Sequence, residues 1–154
     1  MTREEKLQAL GHPLPEVPKP VAAYVPAVKV GSFVYTSGQL PTQKGELLVK
    51  GKLGREVTVE EGQKAARQAV LNALAAVKSV AGSLENIEKI VKLVGFVASH
   101  EGFTQQPQVV NGASELLKEV FGEAGEHARS AVGVAELPLG APVEIELVVA
   151  LKEA

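Results

Sequence analysis

Cysteine, tryptophan and aspartate are absent from this sequence of 154 residues, so all eighteen of its acidic residues are glutamate. Without cysteine there is no thiolate nucleophile, disulfide framework, cysteine-ligated zinc or iron–sulfur cluster. Without aspartate there is no Ser-His-Asp triad and no aspartate pair, although glutamate can take over some of those roles. Aromatics make up only 4% of the residues and the net charge is −2, so neither stacking platforms nor a basic field favours nucleic acid. No apolar run approaches the roughly 18 residues of a membrane span, and the N-terminus has no apolar stretch behind its charges. These absences point to a soluble, cytoplasmic protein that binds neither membrane nor nucleic acid. Any chemistry must come from Glu, Arg, Lys, Tyr, Ser, Thr, three histidines and the backbone.

A chain of this length suits one core. Thr2 and Glu5 form a capping box before Gly11-His12-Pro13, which predicts a short N-terminal helix, read here as an appendage. Three prolines between Leu14 and Pro20 make an extended connector. Residues 1–20 are thus set apart from a single domain over 21–154.

Within that domain, Tyr24–Val30 and Phe33–Ser37 read as a hairpin around Gly31-Ser32, where glycine in the first turn position suits a type II′ turn. Pro26 confines the first of these strands to an edge or a bulge. The segment to Arg55 reads as a loop with one short strand. Thr58 and Glu61 repeat the capping box, and Ala66, Ala69, Val70, Ala73, Leu74, Val77 and Ala81 follow at helical spacing until Gly82. Ile90–Ala98 is a continuous apolar run expected to be a buried central strand. Pro107–Phe121 reads as a second long helix ended by Gly122. Ala128–Val134 and Val143–Leu151 are the last two strands, and in the second of them Glu144 and Glu146 share the face opposite Val143, Ile145, Leu147 and Val149.

The sequence has no P-loop, G-x-S-x-G, H-E-x-x-H or G-x-G-x-x-G. His12, His100 and His127 fall in three separate predicted loops, where solvated side chains are the rule, so no metal is expected. Ser37 beside Gly38 reads as turn chemistry rather than a nucleophile. Arg129 and Glu144 have more to offer: a guanidinium grips a carboxylate through two parallel bonds, and a half-buried glutamate polarises water or takes a proton. The plain alternative is an ion pair between adjacent strands.

Ala128-Arg129-Ser130, Val132, Ala135, Leu137-Pro138 and Val143-Glu144-Ile145 closely resemble the C-terminal signature of the YjgF/RidA family of enamine and imine deaminases, also described as L-PSP endoribonucleases and translation inhibitors. Tyr24-Val25, Thr36-Ser37-Gly38-Gln39-Leu40-Pro41 and Asn111 match it upstream, so the resemblance covers the chain from about Val21 to its end. It implies an α+β fold like chorismate mutase, a mixed sheet covered by two helices on one face, assembled as a homotrimer with clefts between subunits. It further implies that Arg129 holds a substrate carboxylate, Glu144 orients the hydrolytic water, Gly38 meets the substrate through its backbone, Tyr24 lines the pocket, and Asn111 joins the binding site, with no cofactor. The ligand implied is a small carboxylate-bearing imine or keto acid. His127 stands where the family usually has Pro or Ala, Ala131 where it often has Cys, and Ala23 in place of a Gly-Pro entry.

The reaction expected is metal-free hydrolytic deamination of 2-imino or enamine acids to 2-keto acids and ammonia. A carboxylate-binding or regulatory module that uses the same cleft without turnover is the second reading, and a ribonuclease or translation inhibitor the third. A purely structural trimer is a further alternative, in which Arg129, Glu144 and Tyr24 do not converge on a pocket.

Overall fold

The structure is a computed structural model, and it describes residues 1–19 and 23–153. The expected domain boundary at residues 20 and 21 lies outside them. Among the described residues ten principal elements follow one another: α1 (Arg3–Ala9), β1 (Ala27–Val30), β2 (Phe33–Thr36), β3 (Thr42–Gln43), β4 (Glu46–Leu47), α2 (Val59–Ala81), β5 (Ile87–Ala98), α3 (Gln106–Phe121), β6 (Ala128–Val134) and β7 (Val143–Leu151).

Both capping boxes form. Thr58 Oγ1 accepts from the Glu61 N–H at 3.1 Å while the Glu61 carboxylate accepts from the Thr58 N–H at 2.9 Å, and Thr2 with Glu5 repeats the arrangement. Each satisfies two donors that a helix start leaves without intrahelical partners. α2 ends at Gly82, whose φ of 86° is open to glycine at no steric cost. In the β1–β2 hairpin Val30 pairs with Phe33, leaving the two-residue turn Gly31-Ser32 with Gly31 at φ 61°. β1 is shorter than the expected strand because Pro26 has no N–H to donate. Its carbonyl still accepts from the Ser37 N–H at 2.8 Å, so Pro26 loses only the donor side of the ladder.

The main sheet runs β1-β2-β7-β5-β6. β5 and β6 are parallel and joined by the α3 crossover, and the other neighbours are antiparallel. α2 and α3 cover one face, where Val34, Leu93, Val97, Ile145, Leu147 and Val149 are fully or almost fully buried. The helices cross closely at Gly112, where an added Cβ would come within 2.8 Å of Gln63 Cα. The other face carries Val28, Val30, Phe33, Tyr35 and Val132, all large and exposed in the single chain. This is the mixed sheet with two helices on one face that the sequence led us to expect.

α1 is not an appendage. Leu7 is fully buried in the same core as α2 and α3, and Leu10, Leu14 and Val17 pack against it. The Arg3 guanidinium bonds the carbonyls of Leu84 and Ile87 at 2.9 and 2.7 Å and lies over the Phe121 ring. No helix among the described residues is long and apolar enough to cross a membrane.

Candidate active site

The strand order decides where the candidate residues meet. β5 lies between β6 and β7, so Arg129 and Glu144 are not on adjacent strands. Their side chains also leave opposite faces. Arg129 shares its face with Ala131, which packs against the core, whereas Glu144 alternates with the buried Val143 and Ile145. The alternative of an ion pair between neighbouring strands is therefore not realised, and the two groups assemble separately.

The first group surrounds Glu144. Gln39 and Ile145 exchange backbone hydrogen bonds of 2.8 and 3.0 Å, which brings Gly38 against the Glu144 side chain. An added Cβ at Gly38 would lie 2.7 Å from Glu144 Cδ, so the carboxylate occupies the space that glycine leaves open. The Ser37 hydroxyl donates to the Val25 carbonyl at 2.6 Å, which ties the segment of the half-exposed Tyr24 to the same turn. This bond spends Ser37 on the turn role expected for it. Glu144 faces Phe96 across the β5–β7 ladder, and its neighbour Glu146 faces Val94. Burial beside these apolar side chains raises the Glu144 pKa above the usual glutamate value, and the negative charge of Glu146 adds to the shift.

The second group is built on α3 and β6. Arg129 Nη1 donates to Asn111 Oδ1 at 2.8 Å and to Ser114 Oγ at 3.2 Å, and Nη2 reaches the Pro107 carbonyl at 3.5 Å. Pro107, Asn111 and Ser114 follow one another at helical spacing, so one face of α3 holds the guanidinium. All three acceptors are neutral, and among the described residues no carboxylate lies within ion-pair distance of Arg129. A half-buried arginine held by neutral groups keeps its charge available to an anion.

Ser114 and His127 belong to this group although the motif reading did not single them out as site residues. Ser114 Oγ lies 2.9 Å from His127 Nε2, and His127 Nδ1 lies 2.6 Å from the Gly125 carbonyl. His127 is thus half-buried and bonded on both nitrogens, not a freely solvated loop side chain. The available signal was positional: Ser114 is three residues after Asn111 on one helix, and His127 two residues before Arg129.

Two clefts in the surface of the chain lie beside α1 and the connector. One is bounded by residues including Thr2, Gln8, Leu14 and Glu85, the other by residues including Val17, Ala75 and Lys78, and none of the candidate residues lines either. Among the described residues, then, Asn111 joins Arg129 and Gly38 joins Glu144, and neither group lines the two clefts.

The model of a family described as "YjgF/chorismate mutase-like, putative endoribonuclease" matches residues 4–151, and so takes in α1 as well as the motifs. Among similar proteins, Protein TCP17 of Trypanosoma cruzi is 45% identical, over 94% of this chain and 91% of that one. The 2-iminobutanoate/2-iminopropanoate deaminase of Dermatophagoides farinae is 32% identical, over 90% of this chain and 93% of that one. The solved structure of Atu1372 from Agrobacterium tumefaciens superposes with a TM-score of 0.91 at 45% identity, covering 97% of this chain and 92% of that one. TdcF of E. coli, solved with bound serine, superposes with a TM-score of 0.63 at 29% identity, covering 90% of this chain and 94% of that one. With the motifs, the sheet order and a match along nearly the whole chain in agreement, the protein belongs to the YjgF/chorismate mutase-like family.

Proposed function

We propose that this protein hydrolyses small 2-imino and enamine acids to 2-keto acids and ammonia without a metal, in clefts between the subunits of a homotrimer. The observation that carries this reading is Arg129: a half-buried guanidinium fastened by three neutral acceptors, with no carboxylate within ion-pair distance among the described residues. The substrate carboxylate is its natural counter-ion. The Dermatophagoides farinae relative, named for 2-iminobutanoate and 2-iminopropanoate, supplies the reaction class.

In the proposed site, Arg129 of one copy faces the Glu144, Gly38 and Tyr24 group of a neighbouring copy. The exposed Val28, Val30, Phe33, Tyr35 and Val132 give the open sheet face an apolar surface suited to burial between copies. Water adds to the carbon of the protonated imine as Glu144 takes one of its protons and passes it to the nitrogen; the C–N bond then breaks as the hydroxyl proton of the adduct leaves through Glu144 to the departing ammonia. The sum is R–C(=NH2+)–COO− plus H2O giving R–CO–COO− plus NH4+. The protein orients the carboxylate and the water, and no side chain forms a covalent intermediate. A raised pKa suits Glu144 to both halves of the proton transfer.

The test generates 2-iminobutanoate with an amino-acid oxidase and follows ammonia release. The wild-type protein accelerates it, and Arg129→Ala removes the acceleration; equal rates with and without protein reject the reading. The serine bound to TdcF favours a second reading, in which the same cleft holds a small carboxylate without turnover. That reading predicts saturable binding lost in Arg129→Ala and no catalysed loss of imine.

A further inference from the structure

An arginine has five N–H groups, and counting them shows what Arg129 can offer. Nη1 spends its two on Asn111 Oδ1 and Ser114 Oγ, and Nη2 turns one toward the Pro107 carbonyl. With Nη1 consumed, the end of the guanidinium cannot present a two-donor fork. What remains is the side edge: Nε–H has no partner among the described residues, and its neighbour Nη2 makes only the long 3.5 Å contact to Pro107.

Ser114 Oγ can only accept from the guanidinium, and His127 fixes how it does so. The Gly125 carbonyl can only accept, so His127 Nδ1 carries a hydrogen and donates across 2.6 Å. In the neutral ring Nε2 is then an acceptor, and across 2.9 Å it takes the Ser114 hydroxyl hydrogen. With its hydrogen committed to the histidine, the Ser114 oxygen presents lone pairs to Arg129. The donors run in one direction, from Arg129 through Ser114 and His127 to Gly125.

We propose that His127 is a positioning residue for carboxylate recognition: acting through Ser114, it ties up Nη1 and leaves Arg129 offering its Nε/Nη2 edge to the ligand. This rests on the reading that Arg129 holds a carboxylate, and it adds which edge does so and what selects it. Without His127 the Ser114 hydroxyl hydrogen has no fixed acceptor and turns to other oxygens, the ligand's included, so the lone pairs that meet Nη1 are no longer fixed and the guanidinium can rotate about its stem.

The experiment titrates full-length protein with 2-oxobutanoate and with its uncharged amide, 2-oxobutanamide, by calorimetry. His127→Ala and Ser114→Ala are each expected to weaken 2-oxobutanoate binding about two- to tenfold, the range of one net hydrogen bond. Because the two residues act in series, the double variant loses no more than the larger single loss. Ser114→Thr, which keeps the hydroxyl, retains the wild-type affinity, and amide binding stays unchanged throughout. In imine turnover the loss falls on KM rather than kcat. An unchanged Kd in both alanine variants, additive losses in the double variant, or an equal loss for the amide overturns the proposal. Arg129→Ala separates the two levels. Abolished binding there, with His127→Ala and Ser114→Ala unaffected, removes only the role of His127; binding that survives Arg129→Ala removes the carboxylate reading itself.

Discussion

Arg129 and Glu144 project from opposite faces of one sheet, with β5 between their strands. Within a single chain the two side chains therefore face apart. The proposed site takes them from different copies.

This relationship makes a complementation test decisive. Arg129→Ala and Glu144→Gln are each expected to be inactive in imine hydrolysis. Unfolded together at equal amounts and refolded, they are expected to recover about a quarter of the wild-type rate, because in the proposed cyclic trimer each mixed assembly forms one intact Arg129–Glu144 interface. Sedimentation velocity checks that the mixture is trimeric, and ammonia release reads the rate. No recovery from well-formed mixed trimers contradicts the composite site.

Glu144 should set the acid limb of activity. Its pKa is raised by burial and by Glu146, so the carboxylate that takes the proton from water is lost at a higher pH than an ordinary glutamate would allow. A profile of kcat/KM against pH is expected to fall on the acid side at a higher pH than an ordinary glutamate would give, and Glu146→Gln should move that limb downward by removing the like charge.

The same shift has a consequence for stability, with a definite sign. A carboxyl whose folded pKa lies above its unfolded value favours folding while both states hold the proton, and that contribution is lost as pH rises through the folded pKa. Ionised Glu144 thus costs the single fold some stability at neutral pH. Glu144→Gln is expected to melt at a higher temperature than wild type near pH 7.5, with the difference closing below the unfolded pKa of an ordinary glutamate. The effect is modest because the side chain is only half-buried. Thermal melts by circular dichroism at both pH values measure it.

Gly38→Ala should damage activity with little effect on folding. The new methyl group would stand 2.7 Å from Glu144 Cδ, and the end of a glutamate side chain can swing aside. The carboxylate then leaves the position required to orient water. The expected outcome is a fall in kcat with a melting temperature close to that of wild type; an unchanged kcat would show that Glu144 need not sit against Gly38.

Leu7→Ala tests whether α1 belongs to the core. Leu7 is fully buried, so truncating it removes apolar contacts and leaves a cavity, at a cost of about 2–5 kcal/mol. Chemical denaturation should show this as a lower midpoint with an unchanged slope. A cost below about 0.5 kcal/mol, the usual range for surface substitutions, contradicts the packing of α1.

The features legible in the sequence were the local ones. Two capping boxes, the helical stripe of α2, the Gly31-Ser32 turn and the alternation around Glu144 each follow from neighbours within a few residues, because backbone geometry repeats every 3.6 residues in a helix and every two in a strand. The C-terminal motif likewise identified Arg129 and Glu144 as the residues to weigh. Tertiary structure alone decided how they relate. The α3 crossover lays β6 parallel to β5, and β7 takes the other side of β5, so two strands consecutive in the chain are separated in space. That choice turns on long-range burial and pairing, which leave no local periodic trace. The same packing brings Leu7 into the core and sets His127 behind Ser114, giving Arg129 the neutral acceptors that leave its charge for a ligand.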